Sequence, residues 1–287
     1  MSKRTVIWIF GAGLISILFY SCLPDPLEVE GVPIIKPQIV VSSQILTDRS
    51  LVILLTKSFG ALDASDDSDP QELLNQIAIN DATVTISGPG GTDTLNFISS
   101  GIYGGLTNQL AGEKSYTLRV KSPSMGEVKA STTVKPQVRF DEIEAELFFN
   151  GFDDTLAQIT HRFQDLPGRN YYMLNVQRFR QRNLEEQLLN PRAFTRLLTD
   201  ETFDGELYAE DFRVFPTDFS TGDTVAVYLS NISEEYYRFI KLRVDNRFSF
   251  VEFLGEPINY PTNVEGGKGY FNLYLPDIRL FTLRVKE

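Results

Sequence analysis

The sequence predicts an all-β protein: a β-sandwich followed by a second, mostly-β domain carrying one or two short helices. Three observations lead there. Short runs rich in β-branched and aromatic residues recur about every dozen residues, several with apolar and polar residues alternating. Gly, Pro, Asp and Asn stand between them, where tight turns need those residues. Hydrophobic residues make up 42% of the 287, enough for a packed core and too many for a disordered chain.

The elements follow in chain order. Residues 1–4 are Met-Ser-Lys-Arg and residues 5–21 carry no charge. A basic start before an apolar run has the form of a secretory signal, and the run is short for a membrane span of roughly 20 residues. It ends at Cys22, the single cysteine, followed by a segment holding Pro24, Pro26, Pro33 and Pro37. The arrangement resembles a bacterial lipoprotein signal, in which the chain is cleaved before Cys and acylated on its sulfur. Only Ser21 fits the usual residues before that Cys, and Leu18 stands one place early; an uncleaved anchor is the other reading. The expectation is a signal peptide over 1–21, lipidation at Cys22 and a Pro-rich tether over 22–37. Cleavage removes Lys3, Arg4 and the only Trp. Asp25, Glu28 and Glu30 then follow the anchor, either as a solvated tether or as a group resembling an export signal to the outer face of the outer membrane.

A first domain is expected over 38–136. QIVVSSQIL and SLVILLTKSF read as strands around the turn at residues 47–50. An acidic loop follows, with a helical turn near residues 70–76. ATVTISG alternates, Gly88-Pro89-Gly90-Gly91 turns, TLNFIS returns, and GIYGGL is a short piece. SYTLRVKS and EVKASTTV flank Pro123-Ser124-Met125-Gly126 as a hairpin. A second domain over 137–287 opens with VRFDEIEAELFF. TLAQITHRF, YYMLNVQRFRQ and TVAVYLSNI read as longer strands with alternating faces. NLEEQLLNPRAFTRLL reads as helical before Pro191, and FDGELYAEDFRVF mixes turn and strand. Ser233 is a favoured N-cap before Glu234 and Glu235 in the first helical turn, so a helix is expected over 233–245. Tyr236, Phe239, Ile240 and Arg243 share one face of it. GEPINYPTNVEGGKG reads as irregular, and two strands around Pro276-Asp277 close the chain.

The order of PQIVVSSQILTDRSLVILLTKS, ATVTISGPGGTDTLNF, GIYGGL, GEKSYTLRVKS, VAVYLSNISEEYYRFIKLRV and PINYPTNVEGGKGYFNLYL resembles the Bacteroidota outer-membrane lipoproteins of domain of unknown function 4249. The resemblance covers about residues 38–285. It implies an immunoglobulin- or transthyretin-like first domain and association with a TonB-dependent outer-membrane transporter. It implies no known reaction; no cofactor is expected.

Composition narrows the function further. With 27 Lys+Arg against 38 Asp+Glu the chain is acidic, which argues against nucleic-acid binding. One Cys and one His leave no Cys-rich or His-rich metal site. His161, in QITHRFQD, would have to serve any His-based enzyme; no GxSxG elbow accompanies it, and its strand context makes it a surface or half-buried histidine. Paired carboxylates could still build a hydrolase, which spacing alone does not show. Asp63, Asp66, Asp67 and Asp69 crowd one loop, either as a solvated face or as oxygen ligands for calcium, although their spacing is not that of an EF-hand. Arg178, Arg180 and Arg182 fall on one strand face. With Tyr260 and Tyr270 of the 256–270 loop they are the candidate partner contacts, because Arg and Tyr dominate interface energies. The expected function is that of a lipid-anchored accessory to a transporter, exposed on the cell surface and not an enzyme. A surface adhesin or structural module is the alternative, and a surface hydrolase the remote one. The ligand class is not legible.

Overall fold

The computed structural model describes residues 36–46, 50–58, 70–105, 110–149, 151, 155–179, 194–214, 219–246 and 260–285. Residues Pro37–Glu287 form one compact unit, which contains every described element. The strands are β1 (Ile39–Ile45), β2 (Leu51–Lys57), β3 (Thr83–Gly88), β4 (Gly91–Ser99), β5 (Ile102–Gly105), β6 (Ser115–Ser122), β7 (Gly126–Thr133), β8 (Phe140–Phe149), β9 (Thr155–Gln164), β10 (Tyr171–Phe179), β11 (Phe194–Thr199), β12 (Leu207–Arg213), β13 (Thr224–Ile232), β14 (Val264–Glu265), β15 (Lys268–Tyr270) and β16 (Asp277–Thr282). Helix α1 is Pro70–Ile77 and α2 is Glu234–Asp245. The fold is all-β, and among the described residues no helix is long and apolar enough to cross a membrane.

The strands of the first half, together with β14 and β15 from the last quarter of the chain, form one continuous order, β14-β7-β6-β3-β4-β5-β2-β1-β15. It rolls into a sandwich because β4 changes partners midway. Gly91 to Leu95 pair with β3, Asn96 to Ser99 pair with β5, and the register shifts between Phe97 and Ser99. Such an irregularity bends a strand and lets it pass from one sheet to another. Alternating inward residues, including Ile39, Val41, Ile53, Leu55, Val84, Ile86, Leu118 and Val120, fill the space between the faces.

The two outermost strands of this order, β14 and β15, are consecutive in sequence. The segment read as irregular therefore closes the sheet: Val264 pairs with Ala130 of β7, and Gly269 with Val41 of β1. Its glycines are required there. A Cβ on Gly267 would lie 2.5 Å from the Ile39 carbonyl oxygen, and one on Gly269 2.0 Å from that of Val41. Strands of two and three residues are too short to show a period, which is why the sequence hides them.

The remaining strands form a four-stranded sheet, β11-β10-β13-β16, and a three-stranded sheet, β12-β9-β8. A parallel bridge between Leu147 and Val285, with the Leu147 amide donating to the Arg284 carbonyl at 2.9 Å, joins the two. Strands β10 and β13 are not half-exposed. Tyr172, Leu174, Val176, Val225, Val227 and Leu229 face one core, whereas Tyr171, Met173 and Ile232 face the core of the first sandwich. Burial on both faces accounts for the nearly unbroken apolar run of β13. The boundary expected near residue 136 falls between β7 and β8, but the chain does not stay divided there. Residues 264–270 return to the first sheet, and α2 packs Tyr236 and Phe239 into its core.

Helix α2 begins as expected: the Ser233 side-chain oxygen accepts from the Tyr236 amide at 3.2 Å. Ile240 is half-buried against the core and Arg243 is exposed. Residues 183–190, read as helical before Pro191, lie outside the described residues; beyond them residues 194–199 are the edge strand β11, with Leu197 and Leu198 packed towards the two cores.

Candidate functional site

Two turns meet beside β10. One, residues 165–170, leaves β9; the other, residues 200–206, joins β11 to β12. Asp165, Asp200 and Asp204 bring one carboxylate oxygen each to within 4.8 Å of one another. Asp165 and Asp200 are both 2% exposed. The Tyr172 hydroxyl donates to Asp165 Oδ1, and the Gly205 amide to Asp165 Oδ2 at 2.7 Å. The Asn170 amide donates to Asp200 Oδ2 at 2.5 Å, and the Gly168 amide to Asp204 Oδ1 at 2.8 Å. The Asn170 carboxamide in turn donates to the Leu166 and Gly168 carbonyls, each at 2.7 Å. Burial, and then the bond to Asp165, raise the Tyr172 hydroxyl well above the ordinary tyrosine range. An oxygen-only triad suits a hard divalent cation. The same three carboxylates also staple the two turns by accepting their backbone N–H groups. Sequence reasoning missed the group because Asp165 and Asp200 lie in different turns and meet only through the pairing of β9 with β12 and of β10 with β11.

His161 lies elsewhere on β9 and is not a surface or half-buried residue: it is 2% exposed. Phe140, Phe163, Tyr208 and Phe212 surround its ring at centroid distances of 5.7–6.0 Å, and among the described residues neither ring nitrogen has a hydrogen-bond partner. Burial lowers its pKa to about 4, so the ring is neutral at pH 7. A neutral imidazole hydrogen-bonded, among the described residues, to neither a carboxylate nor a nucleophile is poorly placed for general-base work.

The structure places three of the expected contact residues. Arg178 is committed to its own chain: its guanidinium pairs with Asp223 at 3.1 Å and sits over the Phe219 ring at 4.9 Å. Tyr270 is buried against Phe239 at 4.9 Å and Tyr236 at 5.4 Å, so as a partner anchor it is corrected to a core residue. Tyr260 is half-buried, edge-on to Phe239 at 6.3 Å. Cys22, Arg180, Arg182 and the acidic positions Asp63, Asp66, Asp67 and Asp69 lie outside the described residues.

Comparison with known proteins adds a family and a broad likeness. The family model described as Domain of unknown function (DUF4249) matches residues 25–277. No curated protein matches the chain. Among solved structures, a two fibronectin type III domain segment from chicken tenascin is similar at 11% identity, over 68% of this chain and 91% of that one, with a TM-score of 0.21. The chicken interferon gamma receptor alpha chain is similar at 13% identity, over 68% and 89%, with a TM-score of 0.20.

Proposed function

The chain belongs to the DUF4249 family, and we propose on that premise that it is a lipid-anchored accessory protein of the outer membrane. In this reading it partners a TonB-dependent transporter and helps capture or retain that transporter's ligand. The observation that carries the reading is Cys22, the only cysteine, set between an uncharged run after Lys3 and Arg4 and a Pro-rich segment. Several acyl chains on one Cys hold a protein firmly, whereas a single chain binds only marginally. Residues 23–37 extend to about 50 Å at 3.3–3.6 Å per residue, enough to seat the folded unit beside or above a barrel rim. A closed β-sandwich is a rigid body for such docking, and nothing in the reading requires a reaction.

The test is capture of the tagged full-length protein from gently solubilised outer membrane of its native host. A large β-barrel should come with it. Recovery of the protein alone, both with and without crosslinking, would replace this reading with that of a surface adhesin or structural module.

A further inference from the structure

Among the described residues, strands β11 and β12 are the two free ends of the second sheet system, and no backbone ladder joins them. Side chains hold the seam. Arg196 of β11 binds Glu210 of β12 through both guanidinium and carboxylate edges, with Nε to Oε2 at 2.8 Å. Phe194 stacks on Phe212 with centroids 5.4 Å apart, and the Arg196 guanidinium lies 5.7 Å from the same ring. The Tyr208 hydroxyl donates to Glu210 at 3.0 Å.

His161 lies beneath this seam. Glu210 is its direct partner across the β9–β12 ladder, and directly opposed residues of antiparallel strands share a face. On its other side it faces Ile143 of β8, an apolar residue. The charged groups around it divide by element. Strand β12 contributes Glu210 and Asp211, together with the Tyr208 hydroxyl, and β11 contributes Arg196. Arg162 of its own strand is engaged with Glu142 of β8.

We propose that His161 and Glu210 form an acid-operated latch on the β11–β12 seam. A proton taken up by the imidazole turns an unpartnered ring nitrogen into a charged donor beside Glu210. The carboxylate then leaves Arg196 for the imidazolium, and β11 separates from β12. The electrostatics run in that direction: Glu210 favours the protonated ring and Arg196 opposes it. At neutral pH the ring is neutral, Glu210 stays with Arg196 and the seam is shut.

The lone histidine makes the test direct, because one imidazole resonance reports its protonation in the full-length protein in detergent. Amide exchange, corrected for intrinsic rates, should rise about tenfold in residues 194–199 and 207–213 as that resonance titrates, while β6 and β7 keep their protection. His161→Phe should abolish the rise. Glu210→Gln, which keeps the histidine, should show a seam already open at pH 7, no further opening in acid and a lower imidazole pKa. Three results would overturn the latch: the same acid response in His161→Phe, titration of the imidazole with seam protection unchanged, or equal loss of protection in β6 and β7. If His161→Phe does not fold, the Glu210→Gln profile decides alone, and acid-dependent opening in that variant defeats the proposal.

Discussion

Replacing Gly269 with Ala asks whether the short closing strand holds the first sheet. Gly269 has φ +88°, where an L-residue costs roughly 1–2 kcal/mol. Its new Cβ would stand 2.0 Å from the Val41 carbonyl oxygen and 2.8 Å from the Val41 nitrogen. Both are backbone atoms of β1, so no side-chain rotation relieves the overlap and β15 must lift away. That breaks a parallel ladder in which Val40, Val41 and Ser42 pair with Lys268, Gly269 and Tyr270, at roughly 0.5–1.5 kcal/mol net for each hydrogen bond lost. It also withdraws Tyr270, 7% exposed, from the aromatic cluster on α2. The combined loss is about 5 kcal/mol, a large fraction of the roughly 5–15 kcal/mol that holds a domain folded. Gly126→Ala is the matched control, because Gly126 has φ +93° with no heavy atom within 4 Å of the new Cβ. Only the backbone term of about 1–2 kcal/mol applies there. Urea denaturation followed by far-ultraviolet circular dichroism should separate the two variants by about 3 kcal/mol. Coincident midpoints for Gly269→Ala and Gly126→Ala would show that the closing strand contributes nothing beyond local backbone strain.

Further outcomes follow from the same geometry. The His161 pKa falls from 6.5 to about 4 on folding, so its contribution is complete above pH 6.5 and is lost as pH falls from 6.5 towards 4. The loss amounts to at most about 3 kcal/mol, and latch opening makes it smaller; the difference in urea stability between wild type and His161→Phe across that range measures it. Phe239→Ala should cost about 3–5 kcal/mol because the ring is 8% exposed. Ile240→Ala should cost less than about 2 kcal/mol, its side chain being only half-buried; equal costs in the same urea assay would rotate the helix face. Cys22→Ser should move the protein from the detergent phase to the aqueous phase, or leave the precursor uncleaved. Unchanged partitioning with an intact N-terminus would make the apolar run a plain anchor.

Hairpins and the helix start were legible because single residues determine them. Pro89 and Gly90 turn β3 into β4, residues 123–125 turn β6 into β7, and Ser233 caps α2. The burial of His161 is legible in the strand period. Ala157, Ile159, His161 and Phe163 occupy one phase of β9 and all are buried, whereas Gln158, Thr160, Arg162 and Gln164 occupy the other. A polar residue in the inward phase is buried by its apolar neighbours whatever its own preference. The carboxylate group was not legible, since nothing in the spacing of Asp165, Asp200 and Asp204 reveals which turns will meet. The double-sided burial of β10 and β13 was hidden for a related reason: a period reports one face at a time, and the second core comes from distant parts of the chain.

The two sheet systems solve one problem in two ways, and the difference predicts where the molecule opens first. An unpaired sheet edge exposes backbone N–H and C=O groups and invites pairing with other chains. In the first system the outermost strands, β14 and β15, are consecutive, and each is hydrogen-bonded into the sheet at its own end. Gly267 and Gly269 make that closure possible by letting backbone approach backbone. In the second system the outermost strands, β11 and β12, are also consecutive, joined by the turn at residues 200–206. There, among the described residues, side chains make the closure: the Arg196–Glu210 ion pair, the Phe194–Phe212 stack and the Arg196 guanidinium over the Phe212 ring. A backbone ladder inside a packed core has no titratable part and responds little to pH. An ion pair with 37% and 20% of its side chains exposed above a buried imidazole is screened by salt and weakened by acid. The β11–β12 seam should therefore lose amide protection before β1–β15 as either salt or acid increases, and the reverse order would mean that the side-chain closure is the stronger of the two.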